Sequence, residues 1–170
     1  MESAVILTVP HVEARIADLR LRYDPAAAVG VPAHVTLIYP FAPPPVSQAH
    51  LDALVTLFAG VPTMELNFVG TGRFAQTVYL RVDDDEPLRR MIASLAARWP
   101  EYPPYGGRFS AIVPHLTVAD RQSDPRVLDE VEALLQDKVP LSARVREATL
   151  LVSNDQGFWT PQCTFPLAVR

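Results

Sequence analysis

Apolar residues along this chain come in short runs whose period switches between two and three or four, and the switches mark its elements. SAVILTV, at 3–9, is short, apolar and rich in β-branched residues, which predicts a buried strand. Val12, Ile16, Leu19 and Tyr23 then recur at helical spacing over 11–23. AHVTLIYPF (33–41) predicts a second strand, ended by the prolines at 43–45. Ser47 offers an N-cap to a helix carrying Leu51, Leu54, Val55 and Phe58. Strands at 63–74 and 77–83 are joined by Ala75 and Gln76 as a hairpin. Pro87 suits the first turn of a helix over 86–99, with Leu88, Ile92, Leu95 and Ala96 inward. A loop rich in proline and glycine follows, then a strand at 114–120. Asp124 and Pro125 start a helix holding Val127, Leu128, Val131, Leu134 and Leu135. LSARVREATLLVSN and GFWTPQCTFPLAV predict a closing hairpin, turned at Asp155, Gln156 and Gly157.

The order is β-α-β-α-β-β-α-β-α-β-β, without strict alternation. It predicts an α+β fold of mostly antiparallel sheet with helices packed outside. Each half supplies a strand, a helix and the triplet discussed below. With no linker or low-complexity tract, residues 1–170 are expected to form a single domain of two related lobes.

Composition narrows the partners. Hydrophobic residues make up 49 % and charged residues 20 %, as in an ordinary globular protein. The net charge of −4 gives no footprint for non-specific binding to long nucleic acid. The lone cysteine, Cys163, forms no internal disulfide, and no cysteine–histidine zinc spacing exists. There is no basic leader and no apolar run of about 20 residues. A cytoplasmic monomer is expected, with no membrane association and no obligatory protein partner.

HVT at 34–36 and HLT at 115–117 carry the chemistry. Alternation along a strand puts His34, Thr36 and Ile38 on one face and Val35, Leu37 and Tyr39 on the other. Likewise His115, Thr117 and Ala119 share a face opposite Leu116 and Val118. Each strand thus buries an apolar set and presents an imidazole and a hydroxyl roughly 6.5–7 Å apart. Histidine titrates near neutrality, so two facing imidazoles can divide proton removal and proton donation. Threonine hydroxyls can hold the anion between them. One such triplet in a strand is a weak signal. Two in matched settings, using half of the four histidines, are a strong one. His11 and His50 lack such partners and read as surface or boundary residues.

These motifs resemble those of the 2H phosphoesterase superfamily, the group that includes 2′-5′ RNA ligase-like proteins and cyclic nucleotide phosphodiesterases. Its pattern is two HxTx motifs, with x apolar, and His34-Val35-Thr36-Leu37 and His115-Leu116-Thr117-Val118 both match. TVYLRV is similar to the family's central strand and LLVSNDQGFWTPQCTFPL to its closing hairpin. The resemblance implies a bilobal, pseudo-twofold α+β domain with two mostly antiparallel sheets lining a central cleft. It implies a reaction on a 2′,3′-cyclic or 2′-5′ phosphodiester that needs neither metal nor cofactor. His34 and His115 would then be the acid and base, and Thr36 and Thr117 would bind phosphate. The partner would be a nucleotide or short RNA with such a linkage. Many members of the RNA ligase type carry an arginine soon after the second motif. Here HLTVADR puts Asp120 before Arg121, an acid that disfavours a second phosphate unless Arg121 or another cation offsets it.

Six further residues are substrate-binding candidates. Tyr79 and Arg81 share the polar face of TVYLRV, where one could stack on a base and the other meet phosphate. Arg73, in GTGRF, has similar standing. Tyr105 lies in a loop that Gly106 and Gly107 could make a lid. Phe41 follows Pro40, which disturbs the alternation, and Arg121 follows the second motif. Trp99, Trp159 and Cys163 read as packing residues. Two other functions compete with hydrolysis: 2′-5′ RNA ligation, which the acidic charge disfavours, and nucleotide binding without turnover.

Overall fold

The computed structural model describes residues 1–169. Its elements are β1 (Ser3–Thr8), α1 (Pro10–Tyr23), α2 (Pro25–Ala28), β2 (His34–Ile38), α3 (Gln48–Ala59), β3 (Met64–Phe74) and β4 (Thr77–Val82). There follow α4 (Glu86–Arg98), a 3-10 turn (Pro104–Gly107), β5 (His115–Ala119), α5 (Pro125–Gln136), β6 (Leu141–Val145), β7 (Glu147–Ser153) and β8 (Trp159–Pro166). The strands form two four-stranded antiparallel sheets, ordered β2-β1-β7-β8 and β5-β4-β3-β6. The expected α+β fold with a pseudo-twofold relation between its halves is what the chain adopts. β1-α1-β2 in one lobe matches β4-α4-β5 in the other, and each motif strand, β2 or β5, lies at the edge of its sheet.

Local chemistry starts the helices. Ser47 accepts from the backbone N–H of His50, and Asp124 from that of Arg126, satisfying first-turn donors. Proline occupies the first turn of α1, α4 and α5. The helices pack crosswise: α1 and α5 cover the second sheet, α3 and α4 the first. One hydrophobic core therefore runs through both lobes, from Val5, Leu7, Val35 and Leu37 to Val78, Leu80, Leu116 and Val118. A smaller cluster of Ala4, Ile6 and Leu151 lies on the opposite face of β1 and β7, so those strands are buried on both sides. Among the described residues no helix is long and apolar enough to cross a membrane.

One expectation needs correction, and one element goes unannounced in the sequence. LSARVREATLLVSN is two strands, not one. The chain leaves β3 after Val145, pairs with β8 from Glu147 and joins β1 from Thr149, with Arg146 at the changeover, so β6 and β7 belong to different sheets. No glycine, proline, asparagine or aspartate interrupts the run at Arg146, which is why the pattern reads as continuous although its parity shifts there. The short helix α2 also carries no periodic signal. Asp24 caps it by accepting from Ala26 N–H.

Candidate active site

The edge strands β2 and β5 lie against each other, so the two triplets meet between the sheets. Both strands show the same burial: histidine and threonine partly exposed, the residues between them buried. Val35, Leu37, Leu116 and Val118 are almost fully buried, which fixes the register and turns His34, Thr36, His115 and Thr117 toward the cleft.

The two imidazoles are held alike. His34 Nδ1 lies 2.7 Å from the Pro32 carbonyl, and His115 Nδ1 lies 2.6 Å from the Val113 carbonyl. A carbonyl oxygen can only accept, so each Nδ1 carries the proton and each neutral ring presents an Nε2 lone pair. His34 Nε2 is 3.0 Å from Thr36 Oγ1, and the tautomer makes that hydroxyl the donor. Burial depresses both imidazoles, His34 to about 4, and the nearby charges of Arg20 and His115 push His34 in the same direction. Burial lowers His115 too, opposed by its bond to the Val113 carbonyl and by the charge of Asp120. Both rings are therefore neutral proton acceptors at pH 7 in the ligand-free site, and a bound phosphate's negative charge would raise them.

Strict alternation fails just past each triplet, at the same place. β2 pairs Ile6 with Thr36 but Val5 with Ile38, so Leu37 is a bulge. β5 pairs Tyr79 with Thr117 but Val78 with Ala119, so Val118 is a bulge. One extra residue inverts the faces beyond it. Ile38 and Ala119, expected beside the histidines, are buried in the core. Tyr39 and Asp120 take the cleft side instead, where they line a chamber of about 390 Å³.

That chamber opens beside His34 and Thr36. Ala4, Ile6 and Leu151 form its floor, Val31 and Trp159 belong to its wall, and Glu2 and Arg121 are at its rim. Trp159, expected in the core, is only partly buried and meets Tyr39 edge to face with ring centres 6.0 Å apart. The Tyr39 hydroxyl donates to Glu2 at 3.1 Å. Arg121 has a left-handed backbone (φ 57°), an exposed side chain and an ion pair to Asp120 at 3.8 Å. Asp120 also accepts from Thr77 Oγ1 at 2.7 Å. Sequence reasoning missed Tyr39 and Trp159 as cleft residues. The bulge hid the first, and an isolated tryptophan at a strand end gave no signal for the second.

Tyr105 enters the site from the loop before β5. Its hydroxyl lies near Thr36, and its backbone N–H reaches the Tyr39 carbonyl at 2.5 Å. Tyr105, Gly106 and Gly107 all have φ between 54° and 73°, a conformation that a tyrosine adopts only at a cost of about 1–2 kcal/mol. The tyrosine is held to the motif rather than swung away from it.

On the other lobe, Tyr79 and Arg81 share the cleft face of β4, opposite Thr117 and His115. Tyr79 is 8 % exposed and packs on His115 (5.0 Å) and Phe74 (4.6 Å), so it walls the histidine and offers no free stacking face. A Cβ at Gly72, its cross-strand neighbour, would overlap the Tyr79 ring, which is why glycine stands there. Arg81 is exposed, with no acidic partner among the described residues. Two candidates fall outside the cleft. Arg73 points to the helix side and pairs with Asp129 and Glu132 of α5, each at 2.6 Å. Phe41 is buried among Trp99, Tyr102 and His50 at 5.1–5.6 Å, because Pro40 and the bulge carry it behind the sheet. Among the described residues no three His, Cys, Asp or Glu side chains converge as a metal site.

Matched lobes with an imidazole–hydroxyl set on each facing edge strand are the frame of the two-histidine phosphoesterases. The chain belongs to the 2′-5′ RNA ligase superfamily, whose family model matches residues 8–157. A Bacillus pumilus protein named "Putative phosphoesterase" is 30 % identical over 156 residues, covering 87 % of this chain and 86 % of that one. A Bacillus cereus protein of the same name is 28 % identical over 171 residues, covering 96 % and 94 %. The fold is similar to a crystal structure of a Thermus thermophilus protein (TM-score 0.67, 18 % identity, 100 % of both chains). It is also similar to Escherichia coli LigT complexed with 3′-AMP (TM-score 0.64, 18 % identity, 98 % of this chain and 97 % of that one).

Proposed function

We propose that this protein is a metal-independent phosphodiesterase that opens a 2′,3′-cyclic phosphate, on a nucleotide or an RNA end, or cleaves a 2′-5′ phosphodiester. One observation carries this reading: both cleft histidines donate Nδ1–H to a carbonyl two residues back, so each presents a basic Nε2, that of His34 lying 3.0 Å from the Thr36 hydroxyl. One Nε2 takes a proton from the attacking water as its oxygen bonds to phosphorus. The other imidazole, protonated once phosphate is bound, gives its proton to the departing ribose oxygen. The products are a phosphate monoester and a free hydroxyl. Thr36 and Thr117 donate to the non-bridging oxygens as negative charge builds there, and Tyr105 stands beside Thr36.

The chamber beside His34 suits the nucleoside. It has an apolar floor, an aromatic pair and a few polar rim groups, the usual composition of a small-molecule site. LigT has been captured with 3′-AMP, NADP+ and ATP, which supports a nucleotide ligand for this related fold.

Hydrolysis of the four nucleoside 2′,3′-cyclic monophosphates in EDTA is the test. Turnover that survives EDTA is expected, and a 2′- or 3′-phosphate product identifies the leaving oxygen. Turnover that returns only with added metal would overturn the metal-independent reading. Trp159→Ala is expected to raise KM about tenfold with kcat nearly unchanged, because it removes a stacking surface worth roughly 1–3 kcal/mol and no reacting group. A fall in kcat alone would remove the nucleoside from that chamber.

A further inference from the structure

Neither motif holds its histidine alone. Three residues before His34, the Val31 carbonyl accepts from Arg20 Nη2 at 3.1 Å. Three residues before His115, the Ile112 carbonyl accepts from Arg89 Nη1 at 2.7 Å. Arg20 belongs to α1 and Arg89 to α4, the equivalent helices of the two lobes. Each guanidinium is held in turn by an aspartate four residues away: Arg20 by Asp24 at 2.8 Å, Arg89 by Asp85 through two bonds of 2.7 and 2.8 Å. Glu13 adds a second tie in the first lobe, accepting from Arg20 Nη1 at 3.1 Å and from the Ala33 backbone N–H.

We propose that Arg20 and Arg89 are positioning residues that set the tautomer and aim of His34 and His115. The guanidinium fixes the carbonyl three residues before each histidine, and the next carbonyl along accepts the histidine's Nδ1–H. A proline stiffens the step between. Pro32 locks its own φ in the first lobe, and Pro114 restricts Val113 to extended backbone in the second. Neither arginine touches a motif side chain, so each acts through two peptide units. Loss of the tie frees the acceptor carbonyl to turn, and the imidazole is then free to exchange tautomers or rotate.

Two features argue against a mere loop tether. The arrangement recurs at the same offset on different local sequence, for Asp24 follows its arginine whereas Asp85 precedes its own. The pseudo-twofold axis has thus kept a geometry rather than a motif. In addition, Arg20 is 1 % exposed, with Nε unpartnered. A buried charge is a poor choice for stability alone, since well-packed apolar residues commonly do as well.

This role rests on the acid–base reading of the histidines, and its test separates the two. Arg89 is 41 % exposed, so its replacement is expected to leave the protein folded. In long-range 1H–15N spectra, wild-type protein is expected to show both histidines as Nδ1–H tautomers. Arg89→Gln is expected to move His115 toward a tautomer mixture and leave His34 unchanged. With a cyclic phosphate, kcat is expected to fall roughly 10- to 100-fold with KM within about twofold, as for a displaced catalytic group. Arg89→Lys, which keeps one donor, is expected to recover part of the loss. Arg20→Lys is expected to act on His34 alone; if it fails to fold, the Arg89 variants decide. An unchanged His115 spectrum in Arg89→Gln, with only thermal stability lowered, overturns the proposal. The spectra need no turnover, so a tautomer change without hydrolysis of any substrate would sustain the positioning role and sink the phosphodiesterase reading.

Discussion

Alanine at either His34 or His115 is expected to lower kcat on a 2′,3′-cyclic phosphate by about 10³-fold, within the 10²–10⁴ range of a lost general acid or base. KM should change little, because the threonines and the chamber still bind the substrate. The double variant should fall at most about tenfold below the weaker single one. Proton removal and proton donation serve one displacement at phosphorus, and losing either already stalls it, so the losses do not add. The two singles should differ in pH dependence. Removing the base abolishes the acid limb of the rate profile, and removing the acid abolishes the alkaline limb, so the profiles assign the roles left open by symmetry. A nucleotide-binding module would behave otherwise: its wild type would turn nothing over, and the variants would differ only in affinity. A loss below tenfold in both singles, with the fold intact, would remove the histidines from the chemistry.

The candidate site is legible in this sequence because it repeats. Two HxT triplets on strands ending in apolar residues place four polar side chains by alternation alone, and the structure turns all four toward one cleft. Alternation stops being a guide where pairing depends on another strand. Nothing in HVTLIY announces that Leu37 bulges against β1, so Tyr39 read as core and Ile38 as cleft, the reverse of what forms. The same bulge at Val118 brings Asp120 beside His115 and Thr77. β6 and β7 read as one strand because no turn residue separates them; only the adjacent polar pair Arg146 and Glu147 marks the change of sheet. Arg73 failed as a candidate through parity as well: it lies one residue from the cleft-facing Phe74, on the side where α5 supplies its acids. Arg20 did leave a trace. It lies four residues after Ile16 and three before Tyr23, a charge inside the apolar stripe of α1, and Asp24 follows at the spacing of a helical ion pair. A charged residue on a buried helix face is a question the sequence already poses.

Acid is expected to destabilise this protein through the site itself. The folded state holds His34 neutral down to about 4, whereas an unfolded histidine titrates near 6.5. Between those values the unfolded chain binds a proton that the folded chain refuses, so stability rises with pH across that window. The full contribution is present above pH ~7 and is lost as pH falls from 6.5 toward 4. The gap corresponds to ~3 kcal/mol, a large share of the 5–15 kcal/mol that holds a typical domain. His115, also lowered by burial, acts with the same sign. Urea midpoints of wild type and His34→Gln at pH 7.5 and 4.5 isolate the effect, because protonation of the carboxylates is common to both proteins. The wild type should lose ~2–3 kcal/mol more than the variant over that interval. Parallel losses would mean that His34 charges as readily folded as unfolded. The neutral Nε2 on which the proposed chemistry depends would then have to come from something other than burial.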